Sequence, residues 1–267
     1  MIAVTGATGE VGRRVVSLLS VPHRSIVRDA SRAVGEYRVA SDYGALGEMT
    51  AAFEGADTVF LVPAAENADR VAQHVTAVDA AVAAGVSRLV YLSFLGASAD
   101  ATFTLARDHW ATEQHIRSTA LRWTFLRMNL YMDFIPSMVG ADGVIRGPAG
   151  DGRVSAILRS DVAATAAAVL LGDGDGDGHD GATYDLTGPS SFSLSEAAAL
   201  MGARFEDETD DEAYASRAGY GAPDWEVRGW VTSYQAIRDG SLAAVSPAVR
   251  ELTGRDPLSL AEHLRAR

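Results

Sequence analysis

Three glycines stand at the start of the chain in the run Gly6-Ala7-Thr8-Gly9-Glu10-Val11-Gly12, a Gly-x-x-Gly-x-x-Gly spacing placed directly after the apolar segment Ile2–Thr5. Between a strand and an amphipathic helix, such a turn cradles a pyrophosphate. Gly6 permits the tight bend, Gly9 lets the backbone approach the phosphates, and Gly12 allows the helix to pack closely, while the helix N-terminus adds amide donors and partial positive charge. A lone glycine triplet is weak evidence, but its place between strand and helix at the chain start raises its weight.

A second group, Ser25-Ile26-Val27-Arg28-Asp29-Ala30-Ser31-Arg32, tests which dinucleotide is meant. An acidic residue at the end of the second strand would meet the ribose 2′-hydroxyl of NAD, whereas an Arg would meet the 2′-phosphate of NADP. Arg28 takes the strand end and Arg32 follows one turn on, so NADP is expected over NAD. A slip of one residue in register would put Asp29 there and favour NAD.

Two absences restrict the remaining chemistry. The 267 residues contain no Cys, which removes disulfides, thiolate nucleophiles and Cys-ligated metal. All 23 basic side chains are Arg, so there is no Schiff-base lysine, no phosphate-loop lysine and no Tyr-x-x-x-Lys pair. The net charge of -12 argues against nucleic acid as a direct partner. No apolar run approaches the ~20 residues that span a bilayer, and the chain opens into Met1-Ile2-Ala3-Val4-Thr5 without a charged-then-apolar leader, so a cytoplasmic protein without a membrane partner is expected.

The elements that must position these groups follow from periodicity. Strand-like runs at Ile2–Thr5, Ser25–Val27, Thr58–Val62, Leu89–Ser93 and Trp123–Arg127 alternate with helical segments such as Val71, Val75, Val78 and Val82, closed by Gly85. This alternation implies an α/β fold, a doubly wound parallel sheet (Rossmann fold) with helices on both faces. Beyond Arg127 the pattern loosens. A short strand is expected at Val154–Leu158, a helix at Asp161–Leu171 capped by Ser160 or Asp161, a strand at Thr183–Leu186, and a helix at Ser193–Leu200 opened by a Ser193/Glu196 capping box. The rest reads as short helices and loops carrying Trp225 and Trp230, a smaller C-terminal α+β lobe. The expected domains are 1–130 with 153–186 returning to it, and a substrate-side lobe of 131–152 and 187–267. Within Gly172–Gly178, Asp173, Asp175 and Asp177 match the first half of a calcium loop. Tyr184 falls where the loop needs a bidentate Glu, so a solvated loop and no metal site are expected.

Taken together, Gly6–Gly12, Val27-Arg28-Asp29, Ser41-Asp42-Tyr43, Phe53–Asp57, Leu89–Ser93, His109–Glu113, Trp123–Tyr131 and Leu252–Pro257 resemble the NmrA-like branch of atypical short-chain dehydrogenases, in its quinone oxidoreductase 2 and triphenylmethane dye reductase group. The resemblance covers most of the chain. It implies an NADP-binding domain, a smaller lobe, and a small-molecule substrate in the cleft between them; a homodimer is left open. By this resemblance Gly6, Thr8, Gly9, Val11 and Gly12 form the pyrophosphate turn, Arg28 the 2′-phosphate site and Asp42 the adenine edge. Val62, Pro63 and Ser93 border the ribose and nicotinamide.

The resemblance also locates the reacting end. Relatives often carry a Lys four residues before the helix Glu, and His109 takes that place, able to reach Glu113 one turn on. His109 is expected to contact the nicotinamide ribose or the substrate, the competing reading being a structural helix histidine. Asn129 and Tyr131 follow the strand-like run Trp123–Arg127 and should face the cleft, Asn129 holding the nicotinamide carboxamide and Tyr131 walling the substrate or packing the lobe. The function implied is an NAD(P)H-dependent reductase of a conjugated, quinone-like or dye-like acceptor without a Tyr/Lys pair. Alternatives are a non-catalytic NADP(H) sensor of NmrA type and a tailoring reductase or isomerase of a biosynthetic pathway.

Overall fold

The computed structural model describes residues 1–172 and 177–266, so most of the acidic Gly172–Gly178 run lies outside the described residues. The chain divides into two units, the first comprising Met1–Phe94, Asp108–Arg127 and Val162–Tyr184. Its strands are β1 (Ile2–Val4), β2 (His23–Val27), β3 (Tyr37–Val39), β4 (Thr58–Leu61), β5 (Arg88–Phe94) and β6 (Arg122–Met128), and Ala182–Leu186 is a seventh. The sheet order is β3-β2-β1-β4-β5-β6 followed by Ala182–Leu186. Val4 pairs in parallel with Ser25 on one side and Phe60 on the other, so the order reverses about β1 and β4. The doubly wound parallel sheet read from the periodicity is therefore present.

β1 and β5 are buried along their whole length, which is why they read as continuous apolar runs instead of alternating ones. One face packs on α2 (Leu46–Phe53) and α3 (Arg70–Ala83), where Met49, Phe53, Val78, Ala81, Leu89, Tyr91 and Phe125 share one core. Burial of side chains of this size contributes about 1.5–3 kcal/mol each. Gly85, at φ +75°, ends α3 as the valine pattern implied: its N–H donates to Val82 O and that of Val86 to Ala81 O. β3 was not expected, because it is only three residues long, exposed at a sheet edge, too short for its Tyr37-Arg38-Val39 alternation to stand out.

The second unit comprises Leu95–Arg107, Met128–Asp161 and Asp185–Arg267, more chain than the expected lobe. Residues 95–107, 128–130, 153–161 and 185–186 fall in it, and hydrogen bonds within this unit go with the assignment. Thr104 N donates to Thr232 Oγ1 at 3.2 Å, and Met132 N donates to Ile157 O at 2.8 Å beside a Tyr131–Ile157 bridge. Of the expected Val154–Leu158 strand only Val154 is in a strand, Arg153–Val154, paired antiparallel with Phe192–Ser193, while Val144–Gly147 pairs in parallel with Arg204–Asp207. The Ser193/Glu196 capping box forms and opens the helix Leu194–Leu200. Trp225 and Trp230 lie on a 15-residue helix, Asp224–Arg238, longer than the short helices expected. In chain order, α1 is Gly12–Leu18, α4 is Thr104–Arg117 and α5 is Arg159–Leu171. α5 thus begins before Ser160, and the Asp161 carboxylate accepts instead from Leu258 N at 3.0 Å. Among the described residues no helix is long and apolar enough to cross a membrane, and no cluster has metal-ligand composition.

Candidate functional site

In the first unit, a cavity of about 300 Å³ opens at the C-terminal ends of β1, β2 and β4, the place where open α/β sheets bind ligands. It is lined by Gly6, Thr8, Gly9, Arg28, Asp42 and Pro63 from the expected set, together with Arg32, Tyr43, Asn67 and Gln73. The glycine turn has the stereochemistry its spacing required. Gly6 sits at φ +58°, with Gly9 N donating to its carbonyl at 2.9 Å. A Cβ on Gly12 would lie 2.2 Å from Gly6 O, so Gly12 is needed to seat the helix start on the turn itself. α1 then begins with no side-chain cap on its N-terminus. Val11, 5% exposed, serves the core and is not part of the cavity wall.

The register at the end of β2 places Arg28 on the cavity and Asp29 away from it. Asp29 Oδ1 accepts from Ser31 N at 2.9 Å, a contact that lowers its pKa and folds the carboxylate into its own turn. Arg32 reaches back to Thr8 O at 3.4 Å. Two guanidinium groups therefore stand at the end where the Gly6–Gly12 turn leaves room for phosphates, and the residues present fit a 2′-phosphorylated dinucleotide. Also lining the cavity, Asp42 accepts from Gly44 N at 2.7 Å and from Gln73 Nε2 at 3.1 Å, and Gln73 in turn accepts from Asn67 Nδ2 at 2.9 Å. Tyr43 donates to Val62 O at 2.9 Å, and Thr5 Oγ1 accepts from Val62 N at 2.9 Å, tying the end of β1 to the end of β4. Burial pushes the Tyr43 hydroxyl up to about 12, so it remains a donor. Sequence reading missed Thr5 and Gln73, whose roles depend on partners 57 and 31 residues away and leave no local pattern.

His109 and Glu113 occupy one face of α4 but turn to different partners, not to each other. Glu113, wholly buried, accepts from Ser93 Oγ at 2.6 Å and takes a bidentate contact from Arg127 at 2.8 and 2.7 Å. The Ser93 hydroxyl is thereby committed to Glu113. His109, 3% exposed, has Nε2 3.4 Å from Arg70 Nη2 and Nδ1 3.0 Å from Tyr91 Oη. A guanidinium can only donate, so the ring proton sits on Nδ1 and is given to Tyr91. Burial first, then Arg70, His74 and Arg127, push the His109 pKa well below its usual 6.5. Beside it, His74 Nε2 accepts from Ala64 N at 2.9 Å, its Nδ1 meets Thr112 Oγ1 at 2.8 Å, and burial lowers its pKa to about 3. Arg70 Nε donates to Ala64 O at 3.1 Å. Both backbone polar groups of Ala64, which lines the cavity, are thus held by this buried network.

The two residues expected to follow β6 are in the second unit. Asn129 is wholly buried: Nδ2 donates to Ser155 Oγ at 2.9 Å and Leu242 O at 3.0 Å, and Oδ1 accepts from Leu130 N at 2.7 Å. Both amide protons are therefore engaged inside the unit. Tyr131 forms a wall of an apolar pocket of about 160 Å³ with Leu130, Phe134, Met138 and Tyr234, and the Arg159 guanidinium lies 4.1 Å from its ring centroid.

A family model described as NAD(P)H-binding matches residues 6–173. The (4-alkanoyl-5-oxo-2,5-dihydrofuran-3-yl)methyl phosphate reductase of Streptomyces griseus is 36% identical, over 96% of this chain and 93% of that protein. The crystal structure of the NADPH-dependent quinone oxidoreductase of Escherichia coli with NADPH superposes with TM-score 0.90 at 31% identity, covering 100% of this chain and 99% of that one. The triphenylmethane reductase of Citrobacter sp., complexed with NADP(H), superposes with TM-score 0.86 at 28% identity over 100% and 99% of the two chains. The last two are the group to which the sequence motifs pointed.

Proposed function

This chain belongs to the NAD(P)H-binding family, and from that membership we propose that it is an NADPH-dependent reductase passing hydride to a conjugated, quinone-like or dye-like acceptor. The observation that carries the reading is the first-unit cavity, in which the glycine turn and two Arg side chains, Arg28 and Arg32, meet at the strand ends. The acceptors named for the three relatives, a quinone, a triphenylmethane dye and an alkanoyl-oxodihydrofuranyl phosphate, are all conjugated. A cytoplasmic setting, where reduced nicotinamide is maintained, goes with this reading.

When bound, NADPH supplies the hydride. The Gly6–Gly12 turn receives the pyrophosphate, Arg28 and Arg32 the 2′-phosphate, and the Asp42–Gln73 rim the adenine edge. Neutral, buried His109 does not present a proton at ordinary pH, and the chain has no Lys to lower a tyrosine pKa. Hydride addition to a quinone or dye cation gives a delocalised or neutral product that water can protonate later, whereas an unactivated ketone needs an acid as its alkoxide develops. Residues that hold and orient then account for most of the catalysis. His109, Ser93 and Asn129 act as positioning residues in this scheme: His109 through Arg70 on the Ala64 segment, Ser93 through Glu113, and Asn129 within the second unit.

The test is loss of reduced-nicotinamide absorbance with a panel of quinones and dyes. Protein that binds NADPH yet turns over none of them, and instead retains a protein partner that depends on the oxidation state of the cofactor, would replace the reductase reading with the sensor one.

A further inference from the structure

The second-unit pocket contains one feature that an acceptor site for a neutral or cationic ring does not need. Its walls are Leu130, Phe134, Met138 and the rings of Tyr131 and Tyr234, and the one charged side chain among them is Arg159. The guanidinium lies over Tyr131 with Cζ 4.1 Å from the ring centroid, a cation–π contact that holds it against this wall. Asp133 anchors the backbone beneath it, Oδ2 accepting from Arg159 N at 2.8 Å, but stands 3.8 Å from Nη1, beyond hydrogen-bond distance. Among the described residues the guanidinium donates no hydrogen bond, although its side chain is only 23% exposed. A planar cation with five donors, held over an aromatic wall, is positioned for a bidentate oxyanion.

We propose that Arg159 determines specificity for the charge of the acceptor, so that the pocket takes a flat conjugated ring bearing a phosphate, sulfonate or carboxylate and disfavours a cationic ring. The inference rests on the reductase reading for what is done to the ring, but the anion subsite itself is a matter of binding. An apolar cavity of roughly 150 Å³ admits a single benzene ring. The pocket, at about 160 Å³, therefore suits one ring of the acceptor with its charged substituent toward Arg159. A cationic ring in the same place would stand against the guanidinium at short range with an apolar surround that screens little.

The experiment compares a naphthoquinone with its sulfonate and its trimethylammonium derivative, measuring affinity by calorimetry and turnover with NADPH. The wild-type protein is expected to bind the sulfonate roughly tenfold to a hundredfold more tightly than the neutral quinone, the gain of a charge-assisted bidentate contact, and to bind the cation most weakly. Arg159→Met should abolish the sulfonate's advantage while leaving neutral-quinone affinity within a few-fold, and Arg159→Lys should restore part of it. Asp133→Asn, which keeps an acceptor for Arg159 N but removes the opposing charge, should enlarge the advantage; this variant keeps the question answerable if Arg159→Met does not fold. Equal affinity for all three ligands, or an advantage unchanged in Arg159→Met, overturns the proposal. Sulfonate binding that depends on Arg159 without turnover of any ring would uphold the subsite and remove the reductase reading. Turnover of all three with indifferent affinities would do the reverse.

Discussion

Nδ1 of His109 stands 3.0 Å from the hydroxyl of Tyr91, and burial opposes the charged form of both: the imidazole pKa is pushed well down and the phenol pKa up. The pair is a neutral hydrogen bond across the working pH range, and its two ends lead to Arg70 and to the core face of β5. A histidine placed in this way orients its neighbours and does not shuttle protons.

His109→Gln keeps a hydrogen-bonding group toward Arg70 and Tyr91. It should lower kcat by no more than about tenfold and leave the pH profile of kcat/KM without a lost limb near 6.5, whereas removing a true general acid costs about 10²–10⁴. A loss above a hundredfold with NADPH affinity intact would make His109 the proton donor and shift the acceptor class toward simple ketones. Steady-state kinetics with the best quinone of the panel decides it.

Stability should fall as pH is lowered from about 6.5, before most carboxylates titrate. His74 is held neutral in the fold with a pKa of about 3, and His109 is likewise depressed, while both regain the ordinary value of 6.5 when unfolded. The unfolded chain therefore binds more protons below that pH, and each histidine removes roughly a factor of ten in folding equilibrium per pH unit. The stabilisation is fully present above 6.5 and is lost on the way down toward the folded values. Thermal midpoints measured between pH 7 and 5, with His74→Gln as the flattened comparison, check the slope.

Arg28→Ala should weaken NADPH binding by roughly tenfold to a hundredfold and leave NADH binding nearly unchanged, because the lost contact is to the 2′-phosphate alone. Calorimetry with both cofactors separates this from a structural effect, which would reduce both equally. Arg32→Ala should show the same selectivity with a smaller loss, since Arg32 already donates to Thr8 O.

Two glycines of the turn should fail differently. A Cβ at Gly12 meets the Gly6 carbonyl at 2.2 Å, so Gly12→Ala must move the turn and should lower the thermal midpoint together with affinity. At Gly9 the nearest atom, Gly6 O, is 3.2 Å from an added Cβ, so Gly9→Val should fold and lose dinucleotide binding because the side chain fills the pyrophosphate approach. Circular dichroism melts set beside calorimetric titrations distinguish the two.

Much of the first unit was legible because its signals are local. The strand runs of β1, β2, β4, β5 and β6, the valine period of α3 and its Gly85 stop each arise within a few residues, where sterics and burial act directly on sequence. β3 was missed for the converse reason: a three-residue edge strand takes its conformation from pairing with β2, and its side chains stay largely exposed. Segments 95–107 and 153–161 fall in the second unit, where long-range contacts such as Thr104 with Thr232 and Met132 with Ile157 hold them, and apolar periodicity does not report such contacts.

The sequence by itself determined the glycine turn after β1, the Arg at the end of β2, the absence of any Lys-assisted tyrosine and the family to which these belong. Each is a question of which atoms exist at which step along the backbone. The tertiary structure alone decided the partners: Ser93 to Glu113 across 20 residues, His109 to Arg70 across 39, Asn129 to Leu242 across 113. A helical period tells which side of α4 carries His109 and Glu113. Which acceptor lies within hydrogen-bond distance depends on side-chain packing at a few tenths of an ångström. Within each unit that packing gave Ser93, His109 and Asn129 protein partners and set the Arg159 guanidinium over the Tyr131 ring.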